Sequence, residues 1–199
     1  PSDIQGVGRA LLSETYAQIE KDLTEAIVDL PKRSEYAVAD LGRATKGAAM
    51  GYLAKAYLYQ EKYAEAESML KQIIDTDEYD LLPEFGNVWS IAYNNSIESL
   101  FEVQYSSDIS YNLGGRLPVV TGSRDDSGWS WGLPSSNLEK AFLDAGDSER
   151  LMWTIVKDGD NVPGDDDPIA QGYVISPDKH KSARINRKFY VPHALRPSP

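Results

Sequence analysis

The chain has 199 residues, is 41% hydrophobic and 26% charged, and carries a formal net charge of −11. That composition suits one globular domain or a compact pair, and the lack of a basic cluster argues against nucleic acid or an anionic membrane surface as partner. No cysteine is present, so disulfides, thiolate metal sites and cysteine nucleophiles are excluded. Twelve Tyr and four Trp stand against four Phe, a balance that suits half-wet surfaces because both rings carry a polar handle. No signal peptide or long apolar run stands out, and the opening Pro-Ser-Asp-Ile reads as a processed or excised start.

From Arg9 to Leu30 apolar residues fall at Leu12, Tyr16, Ile19, Leu23, Ile27 and Leu30, which trace one helix face that Pro31 ends. Residues 32–41 are polar and read as a loop. A second helix is expected from about Gly42 to Gln60, rich in Gly and Ala, with Gly47 and Gly51 on one face for close approach and Leu53, Tyr57 and Leu58 as bulk. Arg43 and Lys46 oppose the dipole at its start, so a carboxylate partner is expected. Glu61-Lys62 breaks the pattern. A third helix, about Tyr63 to Asp75, should turn Ala66, Leu70, Ile73 and Ile74 inward. The short turn makes the last two helices an antiparallel hairpin with the small-residue pattern of one tetratricopeptide unit.

After Asp77 the pattern becomes irregular. Trp89 sits in a candidate helical turn. Ser99 to Tyr105 alternates Leu100, Glu102 and Gln104 against Phe101, Val103 and Tyr105, a strand signal. Ser106 to Ser130 reads as a long loop, of the kind that carries function or is disordered. Ser135 or Ser136 should cap a short helix reaching Ala145. Leu151–Val156, Tyr173–Ile175 and Ile185–Val191 are further strand candidates. The expected fold is mainly α: tetratricopeptide-like helical hairpins over 9–77, then a loop-rich region over 78–199 with a few short strands, together one domain fragment spanning 1–199.

Four stretches in order, "DLTEAIVDLP" (Asp22–Pro31), "GRATKGAAMGYLAKAYLY" (Gly42–Tyr59), "YAEAESMLKQIIDTDEYDLLP" (Tyr63–Pro83) and "NNSIESLFEVQYSS" (Asn94–Ser107), resemble the SusD/RagB family of outer-membrane glycan-binding lipoproteins. "LPSSNLEKAFLDAGDSERLMWTI" is similar to that family's proline-led helix and Asp-x-Arg-like segment, here Asp147 and Arg150 with one extra residue between. "RINRKFYVP" resembles its Arg-Lys-aromatic segment. Family members are about twice this length, so the resemblance implies an internal piece of a longer protein. It further implies no catalysis and no cofactor. The implied task is binding an oligosaccharide or polysaccharide at the external face of the cell outer membrane for nutrient uptake. The implied partner is a TonB-dependent, SusC-like transporter, which the helices tend to face. The lipid anchor belongs to the parent protein.

Sugar binding needs flat rings for the C–H faces of pyranoses and planar polar groups for their hydroxyls. The long loop offers Tyr105, Tyr111, Asn112, Arg116, Arg124, Asp125, Asp126, Trp129 and Trp131. Trp129, Trp131, Tyr111, Arg124, Asp125 and Asn112 are the candidate ligand-binding residues. In an extended segment Trp129 and Trp131 would point the same way, although large aromatics more often anchor a loop to a core. Gly128–Gly132 also matches G-x-S-x-G, but a nucleophile elbow needs a strand before Ser130 and a helix after it, and neither is expected. The only histidines are His180 and His193. The acidic loop Asp158–Asp167 fails the EF-hand pattern at Val162 and Pro163 and reads as a solvated face rather than a calcium site. A protein-interaction module without its own ligand, or a serine hydrolase using Ser130, are the alternatives.

Overall fold

A computed structural model describes residues 8–105, 116–124, 127–157 and 183–189. Among these the protein is mainly helical, with helices α1 (Leu12–Asp29), α2 (Lys46–Tyr59), α3 (Tyr63–Ile74), α4 (Leu117–Thr121), α5 (Ser136–Asp144) and α6 (Ser148–Thr154), and strands β1 (Ile155–Lys157) and β2 (Arg184–Asn186). No described helix is long and apolar enough to cross a membrane. The chain divides into two compact units, one reaching to Leu81 and including Asn95–Val103, the other formed by Leu82–Asn94 and Gln104 onward.

In the first unit α2 packs against both α1 and α3. Leu30, held extended ahead of Pro31, closes α1. The start of α2 is capped by Thr45, whose Oγ1 accepts from the Ala48 amide at 3.0 Å and meets the Tyr79 hydroxyl at 2.9 Å. Arg43 lies ahead of this cap and pairs with Asp40 at 2.8 Å, the expected carboxylate. The small residues of α2 form the centre of the unit: Gly47, Ala48, Ala49, Met50, Leu53, Ala54 and Ala56 are buried. Its two glycines face side chains rather than a helix backbone. Gly47 lies under the Tyr79 ring and Gly51 beside Leu100. Leu58, expected as packing bulk, is instead 51% exposed.

Helix α3 buries Ala66 and Ile73 but leaves Leu70 and Ile74 exposed, a correction to the inward set. The seam runs along residues seven apart, and at 100° per residue Leu70 and Ile74 fall on its flank. Glu20 of α1 bridges to the hairpin turn, accepting from Gln60 at 2.7 Å and from Lys62. These bonds, the Lys62 ammonium foremost, hold its carboxyl below the ordinary range. The segment after Asn95 is not a strand. Side chains hold the Asn95 backbone at its start: Glu102 accepts from the Asn95 amide at 2.9 Å and Arg33 donates to the Asn95 carbonyl at 2.9 Å. The alternation holds only to Val103 and with its sense reversed: Leu100 and Glu102 are half-buried, Phe101 and Val103 exposed, and Gln104 and Tyr105 both exposed.

The second unit is built around the antiparallel pair of β1 and β2, with Val156 opposite Ile185 and both buried. Residues 151–154, read as strand, instead complete α6, because Asp147 caps that helix by accepting from the Arg150 amide at 3.1 Å and binding the Arg150 guanidinium. Helix α5 starts one residue after Ser135, which caps it at 3.2 Å. A 3-10 turn over Phe85–Trp89 provides the expected helical turn at Trp89. The Trp153 ring lies against Gly86 and against the Arg187 guanidinium, 3.7 Å from its ring centre. Trp89 meets Phe189 edge-on at 5.5 Å. Two of the four tryptophans are thus half-buried in contacts within this unit. Tyr173–Ile175 lies outside the described residues, and of the described part of Ile185–Val191, residues 185–189, only the start is strand.

Lys157 and Arg184 face each other across the two strands, a like-charge pair that opposes the ladder. Glu139 of α5, 7% exposed, lies between them, accepting from the Lys157 ammonium and from Arg184 Nε at 2.7 Å. The Lys157 bond first, then Arg184, depresses its carboxyl pKa below the ordinary 4.5. A native pKa below the unfolded one means the unfolded chain binds more protons in acid, so this stabilisation is complete above about pH 4.5 and is lost as pH falls through the native value. Glu139→Gln should cost about 2 kcal/mol near neutrality. In denaturant titrations the gap between wild type and variant should close in acid; a gap constant with pH would contradict the linkage.

Candidate functional site

Of the candidate residues, Arg124, Trp129 and Trp131 are described, and they lie at a loop of the second unit that docks against α4. Helix α4 was hidden inside the expected loop; its sequence signal is Pro118, in the first turn, where proline is tolerated because the amide has no helical partner. The loop amides all donate to carbonyls in and just after this helix. Trp129 N reaches Val119 O at 2.9 Å, Trp131 N reaches Val120 O at 2.9 Å, Ser130 N reaches Gly122 O at 2.9 Å and Gly128 N reaches Ser123 O at 2.7 Å. These are the orphan carbonyls that a helix end must satisfy. Ser123 beneath them is fully buried.

Between the tryptophans Ser130 is not extended but left-handed, with φ 56°. A turn, rather than strand alternation, therefore brings the two rings to one side. Their centroids are 5.4 Å apart and their planes are inclined by 59°, within the range of a favourable aromatic pair. Both rings remain open to solvent, Trp129 at 47% and Trp131 at 61%. Anchoring is done by the backbone, so the rings are not what fixes the loop to the core.

Ser130 accepts from the Arg124 amide at 3.1 Å and its hydroxyl lies 3.4 Å from the Gly122 carbonyl. No strand leads into it and no helix directly follows. Both histidines lie outside the described residues. Its left-handed backbone is therefore a loop-closing device, and its hydroxyl is used inside the loop. Arg124 is exposed at the same turn, and Arg116 stands exposed ahead of α4. Tyr111, Asn112, Asp125, Asp126 and the acidic loop Asp158–Asp167 lie outside the described residues. Among the described residues no group of acidic or histidine side chains could hold a metal ion. A small cleft in the first unit, lined by Arg33, Tyr36, Thr45, Asn95 and Glu102 among others, contains none of the candidate residues.

Gly128 sets the loop's closeness to its anchor. A Cβ there would fall 2.3 Å from the Gly122 carbonyl carbon and oxygen, and backbone cannot yield as a side-chain tip can. Gly128→Ala should detach the tryptophan turn from α4, with a loss of about 1–3 kcal/mol and quenching of Trp129 and Trp131 fluorescence by iodide raised. Quenching equal to wild type would contradict the docking.

The mainly helical fold is shared with SusD-like proteins of known structure. Residues 1–58 match the SusD-like family described as starch-binding, associating with the outer membrane. By that match and by the fold it shares, the chain is similar to SusD-like proteins. No curated protein matches the chain. A laminarin-binding SusD-like protein of known structure is 26% identical over 93% of this chain and 43% of its own, with a TM-score of 0.73. Surface glycan-binding protein A from Bacteroides thetaiotaomicron, solved with laminarihexaose, shares the fold at 21% identity, covering 90% of this chain and 42% of its own, with a TM-score of 0.68. A SusD-like carbohydrate binding protein from Bacteroides fragilis NCTC 9343 shares it at 22% identity over 77% of this chain and 33% of its own, with a TM-score of 0.67. The chain thus spans less than half the length of these relatives.

Proposed function

We propose that this chain binds an oligosaccharide or polysaccharide without cleaving it, using Trp129 and Trp131 as the platform and Arg124 among the polar groups beside it. The observation that carries the reading is the pair of open indoles on a backbone-anchored turn. Large aromatics left exposed in this way are unusual unless they meet a ligand. Indole faces suit the C–H faces of pyranoses, and an exposed guanidinium suits their hydroxyls. Two of the fold relatives are named for laminarin or solved with laminarihexaose, which supports the ligand class. Tyr111, Asn112 and Asp125 belong to the same proposed surface by their place in the sequence. The engagement of Ser130 within its own loop supports a non-catalytic role.

The setting that goes with this reading is the external face of the outer membrane, in nutrient uptake through a TonB-dependent, SusC-like transporter, with the parent protein lipid-anchored. The family's description as outer-membrane associated supports it. The exposed apolar face of α3, formed by Tyr63, Leu70 and Ile74, supports the helical part as the partner-facing one. A carbohydrate array probed with the wild-type chain tests the function. Binding to a subset of glycans is expected, and an empty array would refute it.

A further inference from the structure

The first unit carries its own meeting of open rings and polar groups, at the small cleft lined by Arg33, Tyr36, Ser99, Phe101 and Glu102 among others. Phe101 lies edge-on to Tyr52 of α2, with 6.2 Å between ring centres, and the two rings are 42% and 51% exposed. Within the cleft a cation and an anion are fixed through one residue: Arg33 donates to the Asn95 carbonyl at 2.9 Å, and Glu102 accepts from the Asn95 amide at 2.9 Å. Another part of the wall is held by the Tyr36 hydroxyl, which donates to the Ala44 carbonyl at 2.8 Å. The Arg33 guanidinium has N–H donors beyond the one given to Asn95, and the Ser99 hydroxyl both donates and accepts. The cleft holds about 20 Å³, space for about one water-sized group, so it admits a small polar arm and not a ring.

These features fit a neutral hexose. A hydroxyl accepts from a guanidinium and donates to a carboxylate at the same time, which a charged group of either sign cannot do. The C–H face of the sugar ring suits Phe101 at the cleft. Glu102 and the net charge of −11 oppose an anionic ligand. An apolar partner would cover the guanidinium and the carboxylate without pairing them, which is costly.

We propose that this cleft is a second glycan-binding site, which takes the hydroxymethyl arm of a neutral hexose between Arg33 and Glu102 and rests the sugar ring on Phe101. It extends the glycan reading to other residues, and either site can fail without the other. The test is a titration of the full nitrogen-labelled chain with the methyl glycosides of glucose, galactose and mannose, followed in two-dimensional amide spectra. It is run on wild type and on the Trp129→Ala, Trp131→Ala double variant. At least one hexoside should shift the amides of Asn95, Ser99 and Phe101 in both proteins. Binding there should weaken about fivefold in Phe101→Ala and in Ser99→Ala, whose side chains do not tie the cleft wall. Methyl xyloside, which lacks the hydroxymethyl arm, and methyl glucuronoside, in which the arm is a carboxylate, should bind the cleft about fivefold more weakly than the hexoside. Shifts confined to the tryptophan loop would overturn the cleft site and leave the platform standing, and no shift with any hexoside would overturn the cleft site as well. Cleft shifts lost in the tryptophan double variant, affinity unchanged in Phe101→Ala, or xyloside or glucuronoside bound as tightly as the hexoside would each overturn it too.

Discussion

The Trp129→Ala, Trp131→Ala double variant is expected to lose at least about thirtyfold in glycan affinity, or ~2 kcal/mol, while keeping its thermal stability. The two halves of that expectation come from one structural fact. The rings are 47% and 61% exposed, so truncating them removes little buried surface. The loop that carries them is held by its amides on Val119, Val120, Gly122 and Ser123, so it stays in place without the indoles. Calorimetric titration with an array-selected glycan, alongside a thermal melt, separates the two. A variant that binds like wild type would remove the site assignment. A variant that melts well below wild type would show the rings to be anchors instead.

Gly86→Ala is expected to have the largest effect on stability. Its Cβ would fall 2.0 Å from the Trp153 ring. Movement of Trp153 would disturb its contact with the Arg187 guanidinium, 3.7 Å from the ring centre, and Arg187 is itself fixed to the Met152 carbonyl at 2.8 Å. Overpacking of so closed a stack should cost about 3 kcal/mol, or roughly 6–12 °C in the melting temperature. An unchanged melt would mean that the Gly86–Trp153–Arg187 stack does not hold this unit together.

The helices were legible because their signals are local. Spacing gave α1 and α3, Pro31 gave the stop of α1, and Ser135 gave the start of α5. Which flank of a helix would be covered was less legible. Leu70 and Ile74 fit an apolar stripe as well as Ala66 and Ile73 do, and only the direction of α2 separates them. The strand expected at 99–105 failed because an alternating pattern becomes strand only with a ladder partner, and that requirement is not written in the segment itself. The same limit applied after Ser148, where a cap at Asp147 extended a helix into an apolar run read as strand.

At the site, the two tryptophans were visible in the sequence and their support was not. Backbone carbonyls of a five-residue helix leave no residue-type signature beyond Pro118. Nor could the sequence separate the exposed pair from Trp89 and Trp153, since burial of those two depends on distant Phe189, Arg187 and Gly86. The assumption that Trp129 and Trp131 share a side through strand alternation reached the right juxtaposition by the wrong route. The left-handed turn at Ser130 lies between the two rings in place of an extended residue.

The chain's four tryptophans supply the most direct measurement. Two-dimensional spectra of nitrogen-labelled protein give a separate indole N–H signal for each, assigned by single Trp→Phe substitutions. Titration with an array-selected glycan should shift or broaden the signals of Trp129 and Trp131 and leave those of Trp89 and Trp153 in place. Shifts confined to Trp89 and Trp153, or no indole shift at saturating glycan, would contradict the tryptophan platform.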